Sequence, residues 1–245
     1  MPVFIASEKS DTNLLPLKWT IKACKQLKEQ NGRLTKVEIL KQLSSLQGDK
    51  TEASNKNVAE KCVANPLLLD EIASGLSSKD KKLQSDCIEV FTLVSERNPD
   101  LTVKYAESII PLLSNKETKT RWEAVHTLSS IADKIPDVIS SVLPELQELI
   151  SKDKSTIVRD YALDTISNYA KTNAENAEKS YEILKSALDL WGEKHAKQVI
   201  KGLGNVSDNI PMCKSEIHKI VFPYLSSNKK AVAAEAKKIV KRTEK

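Results

Sequence analysis

A repeating interval of 37 residues is the feature that most constrains how this chain can fold. Leu76, Leu113 and Ile150 are each followed by a short polar segment, and consecutive members of this series lie 37 residues apart. Leu225, which precedes Ser-Ser-Asn-Lys-Lys, belongs to the same series. Self-similarity at a period of roughly 20 to 50 residues is typical of proteins built from stacked supersecondary units. We therefore expect a solenoid rather than one compact core.

The segments that follow these polar turns carry apolar residues at helical spacing. In residues 118–133 the apolar stripe includes Ala124, Leu128 and Ile131, and in residues 156–171 the equivalent positions are Val158, Ala162 and Ile166. Such a stripe predicts a helix that buries one face. The chain has only six glycines, nine prolines and 4% aromatic residues, which is little punctuation for the many turns of an all-β fold. The sequence predicts an all-α protein built from antiparallel helix pairs.

We divide the chain into an irregular helical N-terminal cap and one continuous solenoid. The cap is predicted to span residues 1–65, because a terminal unit must present a polar outer face. Its helices are predicted near residues 14–29, 36–46 and 57–64. The solenoid is predicted to contain about five helix pairs, at residues 66–98, 99–136, 137–174, 175–210 and 211–245.

The third pair carries the residues of a known repeat motif. Residues 143–166, LPELQELISKDKSTIVRDYALDTI, contain a proline in the first helix, an aspartate in the turn, a Val-Arg pair and an alanine, namely Pro144, Asp153, Val158, Arg159 and Ala162. This pattern resembles HEAT repeats, the helical pairs of phosphatase scaffolding subunits, nuclear import receptors, clathrin adaptors and condensin-type chromosome proteins. As a pattern the resemblance covers residues 66–245, and the motif itself is clear only within residues 109–170.

The resemblance implies a right-handed superhelix in which the second helices line a concave wall. In HEAT repeats an aspartate and an arginine tie neighbouring repeats into a polar ladder, and these roles would fall to Asp153 and Arg159. Other pairs lack one or both residues, as with Gln84 at an arginine position, so the ladder is predicted to be mostly missing. Because this architecture hosts many unrelated roles, it says little about function.

No arrangement of residues in the sequence predicts catalysis. The three histidines, His126, His195 and His218, form no H-E-x-x-H motif, and none is followed by a glutamate as in the iron hydroxylases built from HEAT-like repeats. Gly202 and Gly204 lack the third glycine and preceding strand of a phosphate loop. They indicate instead a close helix approach or early fraying of their helix. We predict no enzyme activity, no metal and no cofactor or small-molecule substrate.

The predicted concave wall consists of second-helix residues that lie beside the apolar stripes. Trp122 is the most informative of them, because aromatic residues of this kind anchor protein interfaces. The alternative is that Trp122 packs on a neighbouring repeat, and for His126 a solvated or capping role is the alternative. The candidate partner-binding residues are Trp122, His126, Asp160, Asp164, Lys197 and Lys201.

The last helix carries most of the excess positive charge of the chain. Residues 226–245 contain seven basic and two acidic residues, which accounts for the whole net charge of +5. These lysines are predicted either to solvate the end of the solenoid and offset the helix dipole, or to face phosphate groups. The candidate basic patch consists of Lys230, Lys237, Lys238, Lys241 and Arg242.

These observations lead to one functional hypothesis and two alternatives. The chain is predicted to be a non-catalytic scaffold or adaptor that binds a protein partner on a concave helical surface. Electrostatic binding of nucleic acid through the C-terminal lysines is the alternative, followed by a HEAT-like DNA glycosylase, for which no motif is found. Four cysteines without a C-x-x-C pair, and no apolar run of roughly 20 residues, predict an intracellular protein, either cytoplasmic or, in a eukaryote, nuclear.

Overall fold

A computed structural model describes residues 39–244, and all structural statements concern that part of the chain. Its regular elements are all helical, and the described residues contain no strand. The predicted all-α class is therefore confirmed. The predicted cap helix at residues 14–29, Cys24 and Lys245 lie outside the described residues.

The described residues form thirteen α-helices joined by turns and short 3₁₀ helices. In chain order the α-helices are α1 (Ser44–Gln47), α2 (Ala53–Ala64), α3 (Leu68–Gly75), α4 (Lys81–Arg97), α5 (Ala106–Ile109), α6 (Thr118–Ile131), α7 (Pro136–Ser141), α8 (Leu143–Lys152), α9 (Thr156–Tyr169), α10 (Ala174–Trp191), α11 (Ala196–Asn209), α12 (Lys214–Val221) and α13 (Lys230–Thr243). The 3₁₀ helices are Ile39–Gln42, Pro99–Leu101, Val103–Tyr105, Ile110–Ser114, Gly192–Lys194, Pro211–Cys213 and Phe222–Ser226.

The second helices of successive pairs pack against one another in sequence order. α4 lies between α2 and α6, α9 lies between α6 and α11, and α13 packs on α11. We call this row of α2, α4, α6, α9, α11 and α13 the second-helix layer. α2 occupies the place of a second helix one pair earlier than the first predicted pair. The boundary between cap and repeats, like the handedness of the superhelix, remains a prediction.

The first helices are shorter and more broken than the second helices, and prolines explain much of this. In the second pair, Pro99 and Pro111 each lie at the start of a 3₁₀ helix, so the first helix is divided into short segments. In the third pair, α7 and α8 each carry a proline in their first turn, where its missing N–H costs no hydrogen bond. α10 is uninterrupted over 18 residues.

The predicted apolar stripes form one continuous core between the two rows of helices. Ala124, Leu128 and Ile131 are completely buried, as are Val158, Ala162 and Ile166 nearly forty residues later. Tyr169 and Phe91 are the largest fully buried side chains. Each stripe therefore faces the first helices and the neighbouring second helices, as its 3.6-residue period requires.

The glycines of α11 mark a close approach between helices. A Cβ atom on Gly204 would lie 2.3 Å from Cδ1 of Ile239, and one on Gly202 would lie 2.8 Å from a methyl group of Leu184. α11 nevertheless continues through both positions to Asn209. Of the two explanations that the sequence left open, close helix approach is the one the structure supports.

A polar ladder joins successive pairs, although the sequence predicted that it would be mostly missing. Three side-chain hydrogen bonds form its rungs: from Asn115 to Gln84 (2.8 Å), from Arg121 to Asp153 (2.7 Å) and from Arg159 to His195 (2.9 Å). Each rung runs from the start of a second helix to the turn before the next one. Only the middle rung is an aspartate–arginine pair. In the other two rungs Asn115 donates to Gln84 and His195 accepts from Arg159, because amide and imidazole groups can also form hydrogen bonds at the turn position.

Candidate functional site

Aromatic and acidic side chains lie together on the second-helix layer, across α4, α6 and α9. We call this group the strip and define it as Glu96, Trp122, His126, Asp160, Tyr161 and Asp164. Four of these six residues are among the predicted partner-binding residues. Glu96 is exposed and the other five are half-buried, so the strip is a surface feature and not part of the core.

An aromatic stack joins α6 to α9 at the centre of the strip. The rings of His126 and Tyr161 are nearly parallel, with an interplanar angle of 15° and a centroid separation of 3.8 Å. On the other side of the imidazole, Oε1 of Glu96 lies 3.4 Å from Nε2 of His126. Burial lowers the pKa of His126, while Glu96 and Asp164 act in the opposite direction. Burial outweighs these charges, so the environment of His126 favours its neutral form.

One acidic and one basic residue of the predicted concave wall form an ion pair. Nζ of Lys201 on α11 lies 2.9 Å from Oδ1 of Asp164 on α9, 37 residues earlier in the chain. Both side chains are partly exposed. Lys197, one turn before Lys201, is exposed and has no partner among the described residues. Of the two predicted wall lysines on α11, one therefore forms an ion pair with α9 and the other is solvated.

Asp160 holds a buried histidine instead of facing solvent alone. Its Oδ1 lies 2.6 Å from Nδ1 of His195, whose side chain is completely buried. Nε of Arg159 donates a hydrogen bond to Nε2 of His195 at 2.9 Å. Because a guanidinium group can only donate, Nε2 must be the unprotonated nitrogen and Nδ1 must donate to Asp160. His195 is thus held as the neutral tautomer, and it does not neutralise the Asp160 carboxylate.

Trp122 packs against the core while part of its side chain stays accessible. Its indole nitrogen is buried and has no hydrogen-bond partner among the described residues. Trp122 can therefore both pack on its neighbours and anchor an interface, since its side chain contacts the core and is only half-buried. Its role in binding remains a prediction.

The carboxylates of the strip create a negative region around Tyr161. Burial raises the pKa of Tyr161, and Glu96, Glu123, Asp164 and Asp160 raise it further. Glu123 is itself buried on α6, which raises its pKa to about 7; the Thr92 hydroxyl opposes this shift, and the nearby Glu89 adds to it. Negative charge is therefore concentrated beside the aromatic stack.

The basic C-terminal patch is only partly free to meet a partner. Lys238 pairs with Glu235 at 2.9 Å, and Arg242 pairs with Asp208 and donates to the carbonyl oxygen of Gly204 at 3.0 Å. The other members are exposed and have no partner among the described residues; they are Lys230, Lys237 and Lys241.

Sequence reasoning missed Tyr161, Glu96, Glu123 and His195 as members of this region. The fixed 37-residue register pairs His126 with a position near Asp164, whereas the ring that stacks on His126 belongs to Tyr161, 35 residues later. Side-chain contacts between neighbouring second helices join residues from 30 to 40 positions apart. Tyr161 could have been found as the aromatic residue directly beside the predicted wall residue Asp160.

Two general features of the described residues bear on the class of site. No group of three or more histidine, cysteine, aspartate or glutamate side chains within residues 39–244 is placed to hold a metal ion. None of the helices in the same range is both long enough and apolar enough to cross a membrane. Cys62 and Cys87 are free and buried, and Cys213 is free and half-buried.

Comparison with solved structures identifies repeat proteins as neighbours of this fold. A designed armadillo repeat protein superposes with a TM-score of 0.64 at 16% identity, covering 84% of this chain and 98% of its own. A second one, in complex with the peptide (KR)4, has a TM-score of 0.65 at 17% identity, with the same coverage. An engineered protein from a structural genomics target has a TM-score of 0.61 at 15% identity, covering 84% of this chain and 95% of its own.

These likenesses show the fold of the chain, an armadillo-like helical repeat solenoid. The repeat architecture predicted from the 37-residue interval is thereby confirmed. Comparison with protein-family models and with curated protein sequences gives no match.

Proposed function

We propose that this chain is a non-catalytic scaffold or adaptor that binds a protein partner on its second-helix layer. The observation that carries the proposal is the strip, where Trp122 and the stacked rings of His126 and Tyr161 lie half-buried on two neighbouring helices. Aromatic side chains that are partly held by the core lose little conformational entropy on binding, and they are enriched among residues that anchor interfaces.

The comparisons support binding as a use of this fold. Several structural neighbours are designed repeat proteins, and one of them holds a peptide, (KR)4. A row of stacked second helices presents side chains from every pair on one surface, which suits an extended or helical partner segment. The non-catalytic part of the proposal follows from the sequence, which contains no nucleophile with a base, no phosphate loop and no metal-ligand motif.

Replacing Trp122 by alanine tests the proposal. We expect Trp122→Ala to weaken capture of a protein partner from lysate of the native cell by at least about tenfold, because anchor residues contribute roughly 2 kcal/mol or more. The matched control is Leu190→Ala, which removes an exposed apolar side chain (58% exposed) from the first helix α10. Circular dichroism of both variants separates lost binding from lost folding. Undiminished capture by folded Trp122→Ala would show that the strip is not the binding surface.

Nucleic-acid binding through the basic C-terminal patch is the alternative function. The exposed side chains of Lys230, Lys237 and Lys241 favour it, while the ion pairs of Lys238 and Arg242 leave fewer charges for phosphate. A salt titration of duplex binding decides between the two functions, because each neutralised phosphate adds about 0.9 to the log–log slope. Salt-dependent duplex binding that is lost in a Lys230/Lys237/Lys241 triple alanine variant would favour the alternative.

A further inference from the structure

Four carboxylates surround the aromatic rings of the strip, and most of them have no cationic partner. They are Glu96, Glu123, Asp160 and Asp164. Asp164 pairs with Lys201 at 2.9 Å. Glu96 contacts His126, whose pKa is lowered by burial, and Asp160 contacts His195, whose Nε2 accepts a hydrogen bond from Arg159. Negative charge in the strip therefore exceeds positive charge among the described residues.

Glu123 is the least compensated of the four. It is 6% exposed, and no ion pair to its carboxylate is found among the described residues. The nearest lysine on the same helix, Lys119, instead bonds Oε2 of Glu89 at 2.8 Å. A buried carboxylate without a cation is costly, and the cost falls when a positive charge comes close.

The aromatic rings beside these carboxylates complete a surface suited to a cation. A guanidinium or ammonium group is attracted to the face of an aromatic ring, and this attraction grows when the group also loses water. The same fold already contains such a contact elsewhere, since the guanidinium group of Arg159 lies 4.1 Å from the ring centroid of Trp191. Charge and ring chemistry therefore point to the same kind of ligand.

We propose that the strip binds a cationic side chain, arginine in preference to lysine, which projects from a basic segment of the protein partner. This inference rests on the proposed function and specifies its partner class. Arginine is preferred because its planar group can stack on a ring and still donate to a carboxylate, here that of Glu96. The positive charges of Lys197 and Lys201 on α11 repel a cationic segment, so the basic segment lies across α4, α6 and α9.

Binding of two synthetic peptides by calorimetry tests the inference. The probes are an octapeptide of alternating arginine and serine and its glutamate–serine counterpart. We expect only the arginine peptide to bind, and more weakly as salt rises, because exposed charges are screened. Glu96→Gln should weaken its binding by about fivefold to tenfold. The matched control is Glu145→Gln, which makes the same charge change on the first helix α8 and should leave binding unchanged.

Proton release gives a second readout that a merely structural role would not produce. The pKa of Glu123 is about 7, and the charged groups that act on it are Glu89, Lys119 and Glu52. A bound cation should lower this pKa and release protons at pH 7. The heat of binding should then depend on the ionisation enthalpy of the buffer in the wild type, and much less in Glu123→Gln.

Three outcomes would overturn the inference: equal binding of both peptides, equal weakening by Glu96→Gln and Glu145→Gln, and no binding of the arginine peptide at low salt. If any of these occurs while Trp122→Ala still weakens capture of the natural partner, the scaffold function stands and only the partner class is wrong. If Trp122→Ala captures the partner normally, the proposed function itself fails.

Discussion

The ionisation of one buried residue, Glu123, makes the stability of the folded protein depend on pH. Its pKa is raised from the ordinary 4.5 to about 7, first by burial and then by Glu89. Between these two values the folded state holds a proton that the unfolded chain has released. The free energy of unfolding therefore falls as pH rises through this window, by about 1.4 kcal/mol for each unit of pKa difference.

Glu123→Gln tests this pH dependence. The amide keeps the shape of the side chain and cannot ionise, so we expect the variant to be more stable than the wild type by about 1 to 3 kcal/mol at pH 8. At pH 4.5 the difference should nearly vanish, because Glu123 is then protonated in the folded wild type. Urea denaturation of both proteins at the two pH values measures it. An equal difference at both values would mean that ionisation of Glu123 is not its cause.

Individual residues were predictable from the sequence only where the helix period decides their position. Leu128 and Ile166 belong to apolar stripes, and both are completely buried as expected. Glu123 directly precedes the stripe residue Ala124, and its burial depends on how closely α4 packs against α6. That distance is a tertiary property, so the sequence alone gave no reason to single out Glu123.

At the scale of elements, α11 shows how one helix accommodates closely packed neighbours. It contacts α9, α10 and α13, and it has no Cβ atom at Gly202 or Gly204, where Leu184 and Ile239 approach. The sequence showed that glycine weakens this helix but left open why the glycines are there. The answer depends on Ile239, 35 residues later, which local helix propensity cannot reveal.

Gly204→Ala should therefore destabilise the protein, although alanine is the better helix former. We expect a net loss of about 1 kcal/mol, because the strain from overpacking, roughly 1 to 3 kcal/mol, exceeds the gain in helix propensity. Ile239→Val removes the Cδ1 atom that the new methyl group would meet. In that background Gly204→Ala should cost less or become stabilising, which thermal or urea unfolding of the four proteins would show. A cost that is unchanged by Ile239→Val would place the strain elsewhere.

At the scale of the whole molecule, the 37-residue interval was enough to predict the layered architecture. It also predicted the stripe residues that face the core, such as Leu128 and Ile166. It did not predict how far neighbouring helix pairs are shifted along the helix axis relative to each other, because this shift depends on side-chain size and on the length of each turn. Contacts such as Lys119 with Glu89, 30 residues apart, and Asn168 with Ser129, 39 residues apart, show this variation. The strip was therefore only partly predicted.

The ladder shows how such a molecule holds together along its length. In a repeat protein each pair contacts only its neighbours, so the coupling between pairs determines whether they unfold together. The rung between Arg121 and Asp153 joins the second and third pairs, and the carboxyl side chain of Asp153 is only 4% exposed. Asp153 also accepts a hydrogen bond from the backbone N–H of Ser155, which places its carboxylate at the start of α9.

A double-mutant cycle on this rung measures the coupling between pairs. Arg121→Ala alone should cost about 2 kcal/mol or more, because it leaves the buried carboxylate of Asp153 without its cation. Adding Asp153→Asn should recover part of that loss, giving a coupling energy of about 1 to 3 kcal/mol. The matched control is the exposed pair Lys152 and Glu148, whose coupling should be within experimental error. Equal coupling in the two cycles would mean that packing alone, and not the ladder, transmits stability from one pair to the next.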